Sequence, residues 1–316
     1  MYRQITVDER YTLGLLRQLG YPTAAIALVL GRDRSTVWRE VRRNRATSDG
    51  TYRPQLAEWY ARRRRSRSRR NQRFTAAEWA QVHARLREDW SPEQVAGRFR
   101  AAQQLRISHE TIYRHIWADK RLGGTLHTHL RGARKRFRKR YGHSDSRGRL
   151  AGKRSITERP AIVEARSRIG DWEADTMLGA VHDSQCLLSL VERKTGYLEL
   201  GKLAARTTAE VNRRAIPLIR KQPHPVHPVT SDHGTEFHGY AALEAATQTT
   251  FYFATPYHAW ERGTNENTNG LVRQYAPKRQ SMARLTQDDC TRIARRLNQR
   301  PRKRLGYRTP EECYEG

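Results

Sequence analysis

Cysteine, long apolar runs and acidic charge are all scarce in this chain of 316 residues. The three cysteines, Cys186, Cys290 and Cys313, are far apart and form no Cys-x-x-Cys pair. They therefore indicate free thiols in a reducing compartment rather than a disulfide framework or a zinc finger. No apolar run approaches the length of a membrane span, and no signal peptide is visible. We expect a cytoplasmic protein with no membrane partner.

The shortage of acidic residues is confined to the first half of the chain. Residues 1–160 contain 38 Lys and Arg against 14 Asp and Glu, whereas residues 161–316 contain 23 against 18. A basic field of that size binds phosphates by releasing their counterions. The charge therefore predicts that the first half binds nucleic acid, on the nucleoid, and that the second half is an enzyme core. A merely soluble basic surface is the alternative.

Residues 1–48 have the pattern of a helix-turn-helix DNA-binding domain. Leucines at helical spacing predict a helix over 8–19, Thr23 is a candidate cap for a short second helix, and Gly31 ends it. A third helix that begins Ser-Thr and carries arginines on one face is typical of a recognition helix. An ordinary three-helix bundle with a solvated basic face is the alternative. The residues that we expect to reach base edges and phosphates are Ser35, Thr36, Arg39, Arg42 and Arg43.

Residues 74–122 predict a second helix-turn-helix domain. The sequence Ser-Pro-Glu-Gln at 91–94 is a capping box with proline at the first helical position. A later helix over 107–117 would bury Ile112 and Ile116, which are four residues apart. The residues that face outward from it, and that we expect to contact DNA, are His109, Thr111 and Arg114.

Two basic linkers, 49–73 and 123–160, are predicted between these domains and the rest of the chain. The first contains ARRRRSRSRRNQR and the second RGARKRFRKRYGH. Runs of like charge repel one another and rarely pack, so we expect both to pair with phosphates. A solvated run with no specific role is the alternative.

Short strand and helix patterns alternate over residues 161–316. Three consecutive strands, in DWEADTMLG, QCLLSLVER and YLELGKL, precede a helix, a strand, a helix, a strand and a further helix. Three antiparallel strands followed by alternating helices and strands are typical of a ribonuclease-H-like α/β domain. The predicted architecture is therefore a multi-domain protein, in which an all-α tandem helix-turn-helix region precedes an α/β ribonuclease-H-like domain with a C-terminal helix.

Three acidic residues of the α/β domain lie in different elements. Asp175 lies in the first strand, Asp232 ends the fourth strand in VTSDHGTEF, and Glu266 opens a helix in RGTNENTNG. Carboxylates gathered by a fold suit two Mg²⁺ ions, with Mn²⁺ as a substitute, about 3.5–4 Å apart for in-line phosphoryl transfer. We expect Asp175 to bridge the two ions and the other two acids to hold one each. Water or a DNA 3′-hydroxyl would be the nucleophile.

Other acids compete for these roles. Asp171 and Glu173 share a strand face with Asp175. Glu236 is close to Asp232 in the chain, and Glu261 is an alternative to Glu266. The residue patterns alone leave the choice between the two glutamates open.

Four segments, GDWEADTMLG, SDHGTEF, PYHAWERGTNENTNGLVRQYAPK and LNQRPRKRLGYRTPEE, resemble insertion-sequence transposases of the IS-thirty family. These belong to the DDE, or retroviral-integrase-like, superfamily. The resemblance implies that Asp175, Asp232 and Glu266 are the catalytic acids. It also implies binding to double-stranded DNA at terminal inverted repeats, 3′-end cleavage, strand transfer to target DNA, and at least a dimer on paired ends. His233 departs from the Asn or Arg more often found there.

The residues around the catalytic glutamate are candidate contacts to the transferred DNA end. These are Trp260, Arg262, Asn265 and Asn267. Trp260 has core packing as an equal alternative. For the whole chain, the competing hypotheses are a DNA-binding regulator with an inert catalytic domain and a nuclease that does not join strands.

Overall fold

The computed structural model describes residues 4–67, 74–131, 152–181, 183–255 and 258–316, without the side chains of Ala259 and Trp260. Residues 68–73, at the end of the first predicted linker, therefore lie outside the described residues. Nearly all of the basic run RGARKRFRKRYGH in the second predicted linker also lies outside them. The chain divides into two compact units, Met1–Trp79 and Ala80–Gly316. The finer boundaries predicted from the sequence remain predictions.

Four helices form the first unit: α1 (Val7–Gln18), α2 (Thr23–Val29), α3 (Arg34–Asn44) and α4 (Pro54–Arg67). Leu13, Ile26 and Val37 are fully buried in its core. The predicted helix-turn-helix is confirmed, with one correction. Thr23 is the first residue of α2 and not its cap, since Pro22 holds the N-cap position without a side-chain hydrogen bond.

The fourth helix corrects the predicted linker. Residues 54–67 were expected to be a basic linker, but they form α4. Ala57 is fully buried against the other helices, and Arg10 of α1 binds Glu40 of α3 and Glu58 of α4 at 2.7 and 2.6 Å. A small apolar contact and a shared arginine therefore order the start of a segment whose arginine-rich end stays exposed.

The next three described α-helices are α5 (Ala76–Arg87), which spans the division between the units, α6 (Pro92–Ala101) and α7 (His109–Arg121). The predicted capping box at Ser91 is present, with Gln94 as its partner. Ile112 and Ile116 are fully buried, as predicted. No helix among the described residues has the length and apolar character needed to cross a membrane.

A five-stranded sheet forms the centre of the second unit. Its strands are β1 (Trp172–Leu178), β2 (Cys186–Glu192), β3 (Leu198–Leu203), β4 (Pro228–Ser231) and β5 (Thr250–Phe253). Their order is β3-β2-β1-β4-β5. The pairs β1–β2 and β2–β3 are antiparallel, whereas β1–β4 and β4–β5 are parallel. This is the ribonuclease-H-like arrangement predicted from the strand and helix order, and the prediction is confirmed.

Helices cover both faces of the sheet. They are α8 (Ala161–Ala165), α9 (Thr208–Arg220), α10 (Tyr240–Thr247), α11 (Gly263–Val272), α12 (Gln287–Asn298) and α13 (Pro310–Tyr314). Apolar residues of α9 and α10 share one core with Trp172 and Ala174, and those of α11 and α12 share a second core with Met177. Because side chains alternate along a strand, Glu173 and Asp175 lie on the α11 face of β1.

Helix α6 docks on the C-terminal segment of the same unit. The side-chain amide of Gln94 donates to the carbonyl of Pro301 at 2.9 Å. Gly97 lies against the ring of Tyr307, and a Cβ atom at residue 97 would be 2.1 Å from it. Glycine is therefore required for this close approach, which joins the helices before the sheet to the end of the chain.

Candidate active site

The strand register places Asp175 and Asp232 side by side. In the parallel pair of β1 and β4, Glu173 is opposite Thr230. Asp175 lies two residues after Glu173 on β1, and Asp232 lies two residues after Thr230, directly after the end of β4. Two acids distant in sequence therefore meet because parallel neighbours present the same end of the sheet.

One guanidinium group lies between these two carboxylates. Arg262 has Nη1 at 3.5 Å from Oδ1 of Asp175 and Nη2 at 3.6 Å from Oδ2 of Asp232. The arginine side chain is 17% exposed and each aspartate side chain is 24% exposed. The positive charge of Arg262 thus offsets only part of the negative charge of the two partly buried acids.

The surroundings of Asp175 determine its charge. Burial raises the pKa of its carboxyl group, Arg262 lowers it, and the neighbouring charge of Asp232 raises it again. Asn269 of α11 donates its side-chain amide to Oδ2 of Asp175 at 2.8 Å. An acid whose pKa is raised by burial and by a second acid is stabilised by a cation placed between the two.

One face of α11 is directed at this pair. Arg262, Glu266, Asn269 and Arg273 follow at intervals of four, three and four residues, which places them along one side of the helix. Arg262 and Asn269 contact Asp175. Burial lowers the pKa of Arg273, and the nearby charge of Asp175 opposes that effect. Glu266 thus lies on the same stripe, between two residues that contact Asp175.

Glu266 itself is exposed and does not complete a metal cluster here. Among the described residues, no group of three or more His, Cys, Asp or Glu side chains is spaced to hold a metal ion. The structure thus brings together Asp175 and Asp232, and it places Glu266 on the adjoining helix face without closing the triad.

The acids that compete with Glu266 are already engaged. Each has a basic or hydrogen-bonding partner: Asp171 with Arg168, Glu236 with Arg206 and Thr176, and Glu261 with the backbone of Thr255. Glu266 has no ion pair among the described residues and is free to turn toward a ligand. This difference favours Glu266 over Glu261 and Glu236.

Glu173 fixes the start of α11. It is fully buried, binds Arg193 at 3.0 Å, and accepts the backbone N–H of Asn265 at 2.8 Å. Burial raises the pKa of its carboxyl group, and Arg193 and this backbone hydrogen bond lower it. A carboxylate at a helix N-terminus satisfies an unpaired N–H group. Glu173 therefore anchors the first turn of α11, where Glu266 directly follows Asn265.

The donor set at the Asp175–Asp232 pair fits a divalent cation. Both acids present hard carboxylate oxygens toward one positive group, and the Oδ1 atom of Asn269 beside them is buried without a hydrogen-bond partner among the described residues. Hard oxygen ligands are those that Mg²⁺ prefers. The guanidinium of Arg262 already occupies the space that a cation between these oxygens would take.

The predicted DNA contacts of the first unit lie on the exposed side of α3. Ser35, Arg39, Arg42 and Arg43 are exposed, and Thr36 is partly buried. The guanidinium of Arg39 folds back to the Ser35 hydroxyl at 3.1 Å, and that of Arg42 lies over the ring of Trp38, 4.9 Å from its centroid. These contacts order the arginines along one face.

In the second unit, the predicted DNA contacts differ in accessibility. On α7, His109 and Arg114 are exposed and Thr111 is partly buried. Asn267 is exposed on α11, and the side chain of Trp260 lies outside the described residues. Asn265 needs a correction: it is 1% exposed and accepts a hydrogen bond from Ser189 at 3.1 Å, so its side chain is turned into the fold and is not accessible as a surface contact.

Sequence reasoning missed three residues around the site. Asn269 and Arg273 belong to the α11 stripe, and Arg193 holds the buried Glu173. Helical spacing from Glu266 could have identified the first two. Nothing in the local sequence distinguishes Arg193 from the other arginines, because its role depends on a contact across the sheet.

The fold and the site together define a class of protein: one with a helix-turn-helix domain before a ribonuclease-H-like α/β core that brings two acids together at one end of its sheet. A family model for a helix-turn-helix domain matches residues 1–44. The transposase for insertion sequence element IS4351 of Bacteroides fragilis is 40% identical over 100% of this chain and 96% of its own length. The transposase for IS1086 of Cupriavidus metallidurans is 35% identical, over 98% of this chain and 93% of that one.

The particular family follows from a third relative. Transposase InsI for insertion sequence element IS30A of Escherichia coli is 32% identical over 98% of this chain and 83% of its own length. The chain belongs to the IS30 family of insertion-sequence transposases. Among solved structures, the catalytic core domain of BIV integrase matches 46% of this chain and 93% of that chain at 19% identity, with a TM-score of 0.36. That score is too low to add to the conclusion.

Proposed function

We propose that this chain binds the terminal inverted repeats of an insertion sequence, cleaves the 3′ ends of the element and joins them to target DNA. Asp175, Asp232 and Glu266 are the catalytic acids of this proposal. The observation that carries it is the pairing of Asp175 with Asp232 at one end of the sheet, facing the helix stripe that contains Glu266. Membership of a transposase family supports the DNA substrate.

Divalent cations complete the proposed chemistry. Asp175 and Asp232 would hold them, with Glu266 as the third carboxylate. Two such ions polarise the attacking water or 3′-hydroxyl and stabilise the leaving oxygen. Asn269 orients Asp175 through its 2.8 Å hydrogen bond, and Glu173 fixes the start of α11. No side-chain nucleophile is needed, so the protein's task is to position the DNA and the attacking oxygen.

Two other functions make different predictions. An inert DNA-binding regulator would lack one of the acids, and all three are present. A nuclease would cleave ends without joining them. Paired ends also imply self-association to at least a dimer on DNA.

A strand-transfer assay tests the proposal. The full chain would be incubated with Mg²⁺, a duplex ending in the inverted repeat of its own element, and a supercoiled target plasmid. We expect cleavage at the 3′ end of the repeat and covalent joining of that end to the plasmid. Cleavage without joined product would identify a nuclease, and binding without cleavage would identify a regulator.

The exposed arginines of α3 predict how the first unit contacts DNA. We expect Arg43→Ala to weaken binding to all duplexes alike and to reduce the slope of log affinity against log salt by about 1, because one phosphate contact is lost. Arg39→Ala should instead reduce the preference for the terminal repeat over unrelated DNA. Fluorescence anisotropy across a salt series measures both effects. Arg17→Ala, an exposed arginine of α1, is the matched control; equal effects of all three variants would contradict the assignment of α3.

A further inference from the structure

We propose that Arg262 changes partners during the reaction. It leaves the Asp175–Asp232 pair when a divalent cation binds there, and it then binds a phosphate of the DNA. Cation and DNA would therefore bind cooperatively through this one side chain. The inference rests on the proposed function, because it takes Asp175 and Asp232 as the cation ligands.

The present contacts of Arg262 are loose. Its distances of 3.5 and 3.6 Å to the two carboxylates are longer than the 2.7–3.2 Å of a normal N–H···O hydrogen bond. Nε and Nη1 are buried and have no hydrogen-bond partner among the described residues. Arginine normally presents its donors as a fork to a carboxylate or a phosphate. Arg262 is held here by electrostatic attraction to the two carboxylates, and its Nε–H and Nη1–H groups make no hydrogen bond among the described residues.

A divalent cation would compete for the same oxygens. Oδ1 of Asp175 and Oδ2 of Asp232 are the atoms nearest the guanidinium. They are also the atoms that a cation between the two acids would use. A doubly charged ion and a guanidinium repel each other at such distances, and the repulsion is strong in a site that is only partly hydrated. Binding of the cation therefore requires Arg262 to move.

The space next to Arg262 suits a phosphate. Arg262 is the N-cap residue of α11, and Gly263 follows it. A Cβ atom at residue 263 would meet none of the described atoms within 4 Å, so the described part of the fold leaves this surface open. A guanidinium that turns toward this opening also releases Nη2 from Asp232, and Nη2–H together with either Nε–H or Nη1–H forms the bidentate fork that arginine presents to phosphate.

Thermodynamic linkage turns this exchange into a measurable coupling. Without DNA, Arg262 opposes cation binding because it occupies the carboxylates. With DNA bound, a phosphate holds Arg262 away from the two carboxylates, and Arg262 no longer opposes cation binding. If DNA raises the affinity for the cation, then the cation must raise the affinity for DNA by the same factor.

The experiment measures binding and not catalysis. Mn²⁺ affinity of the full chain without DNA would be determined by electron paramagnetic resonance for the wild type, Arg262→Gln and Arg262→Lys. We expect Arg262→Gln to bind Mn²⁺ about tenfold more tightly, within the usual range of coupling between sites. Arg262→Lys keeps the positive charge but loses the contact to both carboxylates, and its Mn²⁺ affinity should lie between those of the wild type and Arg262→Gln. Arg284→Gln removes a positive charge from an exposed residue elsewhere in the unit and is the matched control.

A second measurement tests the DNA half of the exchange. Affinity for a terminal-repeat duplex would be measured by anisotropy with and without Ca²⁺, at constant ionic strength. The wild type and Arg284→Gln should bind DNA more tightly in Ca²⁺, and Arg262→Gln should lose this gain. Asp175→Asn distinguishes failure of the proposed cation site from failure of the partner exchange by Arg262. If it leaves Mn²⁺ binding unchanged, the cation site itself is wrong. If it abolishes Mn²⁺ binding while Arg262→Gln matches the wild type in both measurements, the partner exchange alone is overturned.

Discussion

Replacing Asp175 by asparagine should reduce 3′-end cleavage by about 10⁴-fold, the scale of loss when one member of a catalytic group that acts as a unit is removed. The physical reason is the position of Asp175. It lies on the central strand pair beside Asp232, accepts a hydrogen bond from Asn269 and contacts Arg262. An amide of the same shape keeps the packing, but it removes the negative charge that a cation between the two acids requires.

The measurement is the rate of cleavage of a labelled terminal-repeat duplex in Mg²⁺, together with binding of the same duplex. Binding measured without a divalent cation should be unchanged, because the helix-turn-helix of the first unit contains none of these acids. Asp232→Asn and Glu266→Gln should behave alike, and Asp288→Asn, an exposed acid of α12, should cleave normally. Normal cleavage by Glu266→Gln would remove that residue from the site and return Glu261 to consideration.

The second large effect concerns stability. Glu173→Ala should lower the free energy of unfolding of the second unit by about 3–5 kcal/mol, the usual cost of removing one member of a buried ion pair. Arg193 is 1% exposed and would lose the buried carboxylate that it binds at 3.0 Å, keeping only the exposed Glu164 at 3.1 Å. Asn265 at the start of α11 would lose its backbone acceptor at the same time.

Urea denaturation of the full chain, followed by tryptophan fluorescence, measures this change. Two variants separate the causes. Glu173→Gln keeps an oxygen acceptor for the N–H of Asn265 and should cost less, and the pair Glu173→Gln with Arg193→Met removes the buried charge altogether and should cost less than Glu173→Ala. Glu110→Ala breaks an exposed ion pair with Arg114 and serves as the control, with an expected change of about 0.5 kcal/mol or less. A similar small change for Glu173→Ala would show that α11 does not depend on this anchor.

The local elements of the fold could be predicted from the sequence because their signals are local. The capping box at Ser91 and the apolar pair Ile112 and Ile116 depend on residues three or four positions apart, and both are as predicted. The adjacency of Asp175 and Asp232 followed from the order of strands and helices. Parallel strands joined through helices present the same ends together.

What could not be predicted depends on distant contacts. Asn265 and Asn267 stand two residues apart in a polar stretch, yet one is buried and the other exposed, because β1 and β2 cover a single side of α11. The partner of Glu173 is 20 residues away in an arginine-rich chain. A run of like charge also favoured a wrong prediction. Residues 54–67 resemble a linker in sequence, but they form α4, in which Ala57 packs in the core and Glu58 binds Arg10.

The docking of α6 on the C-terminal segment has a consequence for synthesis of the protein. Gln94 and Pro301 are 207 residues apart, so the contact cannot form while the ribosome is still making the chain between them. At about 5–20 residues per second, the helices wait roughly 10 to 40 s for their partner segment. The first unit has no such dependence, since its core is complete within residues 1–79. A newly made chain therefore has the helix-turn-helix of its first unit folded before α6 can reach its partner segment in the second unit.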